Sequence, residues 1–272
     1  MERIKQAVER ARQQGTGTAT TKPQSSAVVA APSTEMPARV QYTQTRVITL
    51  DQDHLADNRI MSDNSDHPAA AAYQLLRTQI LHKLREQGWN SLAVTSPGRG
   101  EGRTTTAVNL AINLAREVNH TVLLVDFDMR NPAVHRLLGF EPTAGLGDYL
   151  YNNTPLTDIL INPGIERLVV LPCREPITHS SELLSSPRMV SLVDELKSRY
   201  PSRIVIFDMP ALLMADDPLA FAPYVDTFLL VVEEGKTRKE DMVRAVELLG
   251  DNSIIGTVVN NAEPGSAASG NR

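Results

Sequence analysis

The chain has 272 residues, 42% of them hydrophobic and 22% charged, with a formal net charge of −5. That length suits one large α/β domain with appendages or two small domains, and the composition excludes a wholly disordered or fibrous chain. The acidic balance argues against a broad nucleic-acid-binding surface, which needs clustered Lys and Arg, and no nucleic acid is expected as a partner. The lone Cys173 rules out an intramolecular disulfide framework and fits a reducing compartment. No run reaches the ~18 apolar residues of a membrane span, and the charged start is not followed by an apolar signal core, so the expected location is the cytoplasm.

Residues 1–14 read as an amphipathic N-terminal helix, with Ile4, Val8 and Ala11 making a thin apolar stripe among charges. Residues 15–66 turn to Thr, Ser, Ala, Pro and Gln and read as a flexible linker, because so few large apolar residues cannot offset the entropy of ordering the chain. The folded domain is expected over 67–262, followed by a disordered tail, 263–272. Its first element is a helix over 69–85, with Leu75, Leu76, Ile80, Leu81 and Leu84 as the core face.

Short apolar runs at 92–95, 122–125, 168–171, 204–207, 228–232 and 254–259 then alternate with helical patterns. Continuous apolar runs, without polar alternation, are what strands buried on both faces require. The expected fold is therefore α/β, with a mostly parallel central sheet flanked by helices. Ala107, Leu110, Ala111, Leu114 and Ala115 mark one of those helices. Ser186-Pro187 reads as the cap and first turn of another, and Thr237 with Glu240 as a capping box for a later one.

Three stretches carry chemistry. Between a strand ending at Thr95 and a helix opening near Arg103 lies Ser-Pro-Gly98-Arg-Gly100-Glu101-Gly102-Arg103-Thr104-Thr105. Glycines let successive N–H groups turn toward one centre, and a helix N-terminus adds partial positive charge, which together make a phosphate cradle. A dinucleotide fingerprint would need glycine at Arg103, whereas Gly102-Arg103-Thr104 fills the place of Gly-Lys-Ser/Thr in a P-loop. Next, the apolar run at 122–125 ends in Asp126-Phe-Asp128; side chains two apart on an extended chain point the same way, so both carboxylates are expected to face one Mg²⁺-phosphate site. Finally, Ile-Val-Ile-Phe-Asp208-Met-Pro has the form of a Walker B strand that aims a carboxylate at a metal.

In the order loop, Asp-x-Asp, Asp-x-Pro, these stretches resemble the bacterial tyrosine kinases of exopolysaccharide and capsule synthesis, the CpsD/CapB-like chain-length-determinant autokinases, which are relatives of the MinD/ParA P-loop ATPases. The resemblance spans residues 42–262 and also rests on SSELLSSPRMVSLVDELKSRY and on VDTFLLVVEEGKTRKEDMVRAVELL followed by IIGTVVNNA. It implies ATP and Mg²⁺ as cofactors, with Gly98, Gly100, Glu101, Gly102, Arg103, Thr104, Thr105 and Asn260 binding ATP and Asn260 at the adenine edge. It further implies Thr104, Asp126 and Asp208 as metal ligands, and Asp126, Asp128 and Arg103 as catalytic residues. The implied partner is a membrane polysaccharide co-polymerase whose cytoplasmic tail completes the site and holds the protein at the inner face of the plasma membrane, with a homo-oligomer as a further expectation.

This sequence departs from the family pattern at three places. Arg103 replaces the P-loop lysine; the family's assembly motif Glu-x-x-Arg-x-x-Arg reads Ala71-x-x-Gln74-x-x-Arg77; and the last tyrosine is Tyr224, with none in the final residues. Two functions stay open: a kinase that phosphorylates an internal tyrosine or another protein, and a non-kinase switch that binds ATP and regulates the polysaccharide machinery by conformation. The six histidines show no metal-ligand spacing, Cys173 reads as a small buried hydrophobe, Lys236, Arg238 and Lys239 as a solvated face, and Tyr149 and Tyr151 as packing residues or phosphoacceptors.

Overall fold

The structure is a computed structural model that describes residues 45–61, 69–200, 202–250 and 252–262. The expected helix over 1–14, linker residues 15–44 and the tail 263–272 lie outside the described residues. In chain order the elements are β1 (Arg46–Val47), α1 (Gln52–Asp57), α2 (Ala69–Gln87), β2 (Ser91–Thr95), α3 (Arg103–Ala115), β3 (Thr121–Asp126) and α4 (Val134–Leu138). There follow α5 (Leu146–Asn152), α6 (Leu156–Ile159), β4 (Ile161–Asn162), β5 (Leu168–Leu171), α7 (Ser180–Leu184), α8 (Pro187–Ser198) and β6 (Arg203–Asp208). The last are α9 (Asp217–Phe221), a 3₁₀ turn (Ala222–Tyr224), β7 (Thr227–Glu233), α10 (Lys239–Leu249) and β8 (Ile254–Asn260).

All eight strands form one sheet in the order β1-β4-β5-β3-β6-β2-β7-β8. Every pairing is parallel except β4 with β5. The six apolar runs are all strands, and β2, β3 and β5 have no exposed residue, as their uninterrupted apolar sequences require. Because β6 lies between β3 and β2, the three strands that carry the acidic and glycine-rich stretches are adjacent, and their carboxyl ends open on one side of the sheet.

Two apolar clusters, one to each face, hold the helices against the sheet. One gathers Leu184, Met189, Leu192, Leu196, Ala245 and Leu249 over Phe127, Phe207 and Phe221, whose rings pack at centroid distances of 4.8–5.2 Å. The other gathers Ile80, Leu81, Leu84 and the whole of α3 over Leu92, Leu124 and Ile206. From Thr106 to Ala115 every residue of α3 is buried, so this helix has no solvent face. Ser186 caps α8 by accepting from the Met189 amide, with Pro187 in the first turn, as its sequence indicates.

Three expectations are corrected. The linker assigned to 15–66 is folded over 45–61: Leu50, Leu55, Ile60 and Met61 are buried, β1 pairs with β4, and the Asn109 side chain on α3 both accepts from the Met61 amide (2.8 Å) and donates to the Arg59 carbonyl (2.9 Å). These apolar residues are too widely spaced to give a periodic signal, yet Leu50, Leu55 and Ile60 join the same apolar cluster as α3. On α2, Ile80, Leu81 and Leu84 are buried and Leu76 packs partly buried against them, but Leu75 is 60% exposed and leaves the expected core face. The capping box at Thr237 and Glu240 is absent: α10 begins after Arg238 with no side-chain cap, and Thr237 is used elsewhere.

Leu55 is 1% exposed within the segment that reads as linker. Leu55→Ala should lower unfolding stability by about 2–5 kcal/mol, the cost of a large-to-small change in a packed core, measured by denaturant melts; a change within error would place the segment outside the core.

Candidate nucleotide site

β2 runs into the glycine-rich loop with its last residue anchored, the Thr95 hydroxyl donating to the Pro210 carbonyl at 2.6 Å. Gly100 (φ +71°) and Gly102 (φ +86°) occupy left-handed backbone. A Cβ at Gly102 would come 1.9 Å from Nδ2 of Asn260, so only glycine fits there. Gly102 leads directly into α3, whose first-turn N–H groups point out of the helix end and carry its positive partial charge.

The loop is braced from behind by residues distant in sequence. The buried carboxylate of Glu101 accepts from the Gly98 amide (2.8 Å) and from the Thr237 hydroxyl (2.5 Å). The Asn260 side-chain amide donates to the Glu101 carbonyl (3.0 Å), and Lys236 donates to the Gly100 carbonyl (3.0 Å) while paired with Glu233 (2.7 Å). Asn260, which the resemblance implies at the adenine edge, here braces the loop. Lys236, read as part of a solvated face, is a loop brace. Neither brace has a local sequence signal, because partner and loop lie more than a hundred residues apart.

At the strand ends Asp126 and Asp208 are register partners on β3 and β6, and both are fully buried. Asp126 Oδ2 accepts from the Ala133 and Val134 amides, both at 3.0 Å, and so caps α4; its Oδ1 has no hydrogen-bond partner. Neither oxygen of Asp208 has one. Burial raises the pKa of Asp126 well above the usual carboxylate range, and the neighbouring Asp208 charge raises it further. Burial likewise pushes Asp208 up to about 7, opposed by the Arg103 guanidinium and the nearby Thr104 hydroxyl and assisted by Asp128.

Asp128 faces a different way. Its Oδ1 accepts from the Asn131 amide (3.1 Å), and its Oδ2 accepts a short hydrogen bond from Arg103 Nη2. Arg103 also donates from Nε to the Met209 carbonyl (2.8 Å), so the residue in the place of the P-loop lysine is held on both edges of its fork. β3 ends at Asp126 and the chain turns past it, so the two carboxylates take different hydrogen-bond partners, yet the charges of Asp128 and Asp208 both act on Asp126.

A cleft of about 660 Å³ opens above these strand ends, bounded by Gly100, Gly102, Thr104 and Thr105 on the loop side and by Asp128, Arg130 and Met214 opposite. Arg99 and Arg103 also line it. Arg130, unremarked in the sequence reading, is fixed by Asp217 (2.8 Å), Asp216 (2.7 Å) and the Ser180 hydroxyl (3.1 Å). A second cleft of about 410 Å³ lies between α5 and residues 174–178. Gly98 and Glu101 sit behind the loop, and Asp126 and Asp208 beneath the cleft. Cys173 is buried and its thiol pKa is raised by that burial, which makes it inert.

Among the described residues no group of three or more His, Cys, Asp or Glu encloses a metal by itself. The unpartnered oxygens of Asp208 and Asp126 beside the Thr104 hydroxyl instead fit a hard cation that brings further oxygen ligands with it on a phosphate, as Mg²⁺ does.

Residues 91–225 match the family described as an AAA domain. Over 190 residues the chain is 33% identical to tyrosine-protein kinase YwqD of Bacillus subtilis, a match that covers 69% of this chain and 79% of that protein. The chain belongs to the bacterial tyrosine-protein kinase family. Other members of this family match more distantly: CpsD of Streptococcus agalactiae is 27% identical over 73% of the chain and 86% of its own length. Among solved structures the chimerical protein CapA2B2 superposes with a TM-score of 0.70 at 26% identity, covering 80% of this chain and 94% of that one. The kinase domain of Escherichia coli ETK gives 0.67 at 26% identity, covering 75% and 81%. The MinD protein of Pyrococcus horikoshii, solved with Mg-ADP, gives 0.53 at 24% identity over 66% of this chain and 75% of that one and shares the fold. Family membership and the P-loop fold together imply a nucleotide-binding protein.

Raised carboxylate pKa values carry a stability signature. The folded chain holds these protons more tightly than the unfolded chain, so stability is greatest below the ordinary carboxylate range and falls as pH rises through the raised values. Asp208→Asn should therefore stabilise the ligand-free protein more at pH 8 than at pH 5 and change little at pH 3.5, read from melting curves across that range. Equal effects at all three would remove the assignment.

Proposed function

We propose that this chain binds Mg-ATP in the cleft and transfers the γ-phosphoryl group to a tyrosine hydroxyl, acting as a regulator of exopolysaccharide synthesis and chain length. The observation that carries this reading is Asp208, fully buried with both oxygens unpartnered beneath a glycine loop and beside Thr104. A carboxylate in that state is costly unless a cation arrives to meet it.

The loop amides and the α3 N-terminus receive the phosphates. Thr104, Asp208 and the free oxygen of Asp126 would hold Mg²⁺, which when bound neutralises charge on the phosphates. Asp128, in the cleft wall, takes the proton of the acceptor hydroxyl as that oxygen bonds to the γ-phosphorus and the bond to ADP breaks. For this Asp128 must leave Arg103, which would keep its Nε hydrogen bond to the Met209 carbonyl.

The partner proposed is a membrane polysaccharide co-polymerase, which would bring the protein to the inner face of the plasma membrane, either alone or as a homo-oligomer. Among the described residues no helix is long and apolar enough to cross a membrane, so such attachment would run through the partner. The Arg103–Asp128 contact favours a second reading, in which nucleotide binding changes conformation without phosphotransfer.

Two measurements separate these. With Mg-ATP at 100 times its dissociation constant, unfolding stability should rise by about 2.7 kcal/mol, and Asp208→Ala should abolish the rise. Phosphotyrosine formed on incubation with Mg-ATP, read by mass spectrometry, should fall by about 10²–10⁴-fold in Asp128→Asn, while Arg103→Lys should raise it. Nucleotide-dependent partner binding with no phosphotyrosine would establish the switch.

A further inference from the structure

We propose that Arg99 is the residue that contacts the terminal phosphate of the nucleotide, a part that Arg103 is not free to play; this rests on the nucleotide reading above. Three cations line the cleft: Arg99, Arg103 and Arg130. Arg103 is spent on Asp128 and the Met209 carbonyl. Arg130 is spent on Asp216, Asp217 and Ser180, and the Asp217 carboxylate is itself fully buried, so separating that pair would strand a charge. Arg99 is exposed and, among the described residues, makes no ion pair or hydrogen bond.

Its backbone is nevertheless held on both sides. The Gly98 amide is fixed by Glu101 and the Gly100 carbonyl by Lys236, so the loop presents Arg99 from an anchored base while its side chain stays free. A guanidinium in that state matches phosphate oxygens with two parallel donors and gives up no existing partner to do so. The position of the charge selects the phosphate. The inner phosphates fall to the loop amides next to α3 and to the α3 N-terminus, whereas Arg99 stands toward the other end of the loop, four residues before Arg103, in the same cleft as Asp128. On this view the lysine-to-arginine change at 103 is offset within the same loop.

The test is titration of the full chain with the fluorescent analogues mant-ATP and mant-ADP in the presence of Mg²⁺, for the unmodified protein, Arg99→Ala and Arg99→Lys. Arg99→Ala should weaken mant-ATP binding by about tenfold or more, the loss expected for one charge-assisted hydrogen bond, while mant-ADP changes by less than about threefold. Arg99→Lys should recover part of the ATP affinity, and melting midpoints without nucleotide should be unchanged, since the side chain contacts nothing. Equal affinity for mant-ATP in Arg99→Ala, or equal losses for the two nucleotides, overturns the assignment of Arg99. Failure of the unmodified protein to bind either analogue overturns the nucleotide reading itself, and this proposal with it.

Discussion

Two carboxylates placed side by side without water are the constraint around which the rest of this molecule is arranged. Asp126 and Asp208 are register partners in the middle of a buried parallel sheet, and neither is accessible to solvent. Three responses to that cost are visible. One oxygen is satisfied, since Asp126 Oδ2 accepts two amides and starts α4. Part of the charge is removed, since both groups favour their protons. The remaining oxygens stay unmatched, which is the mark of a site built for a visitor and not for stability.

The glycine loop above them is rigid for a reason opposite to that of most loops. Its backbone follows left-handed turns at Gly100 and Gly102, and its carbonyls and the Glu101 carboxylate are held by Lys236, Thr237 and Asn260. Those braces come from the turn between β7 and α10 and from the end of β8, so the cradle is tied to the far side of the sheet from β3. A preformed cradle costs less ordering entropy when phosphate enters. It also means that the side chains left mobile in the cleft are few, and their pairing decides what the site does. Arg103 on Asp128 is the clearest case: a cation of the loop and a carboxylate of the cleft wall neutralise each other.

The family relationship and the local chemistry agree about the type of site but differ in emphasis. Relatives named tyrosine-protein kinases match 69–73% of this chain, which carries arginine where the P-loop pattern has lysine. An arginine fork binds two partners at once, here Asp128 and the Met209 carbonyl, whereas an ammonium is a compact point charge. The substitution thus changes which groups are free in the resting cleft, beyond changing the shape of one cation.

Much of the fold was legible because its signals are local. Six strands announced themselves as uninterrupted apolar runs, the glycine loop lay between a strand and a helix, and Asp126, Asp128 and Asp208 followed their strands directly. The segment 45–61 was not legible, since four scattered apolar residues read as linker until α3 offers them a surface to cover. The bracing of Glu101 by Asn260 and Thr237 was not legible either, because those residues lie 159 and 136 positions away in the chain. Taken alone, the sequence determined the sheet, the loop and the acidic residues at its edge, because backbone propensity and apolar patterning act over a few neighbouring residues. Tertiary structure alone decided that Asp126 caps a helix, that Arg103 rests on Asp128 and that Arg99 is left free, because hydrogen-bond geometry and desolvation depend on which distant groups the fold brings together.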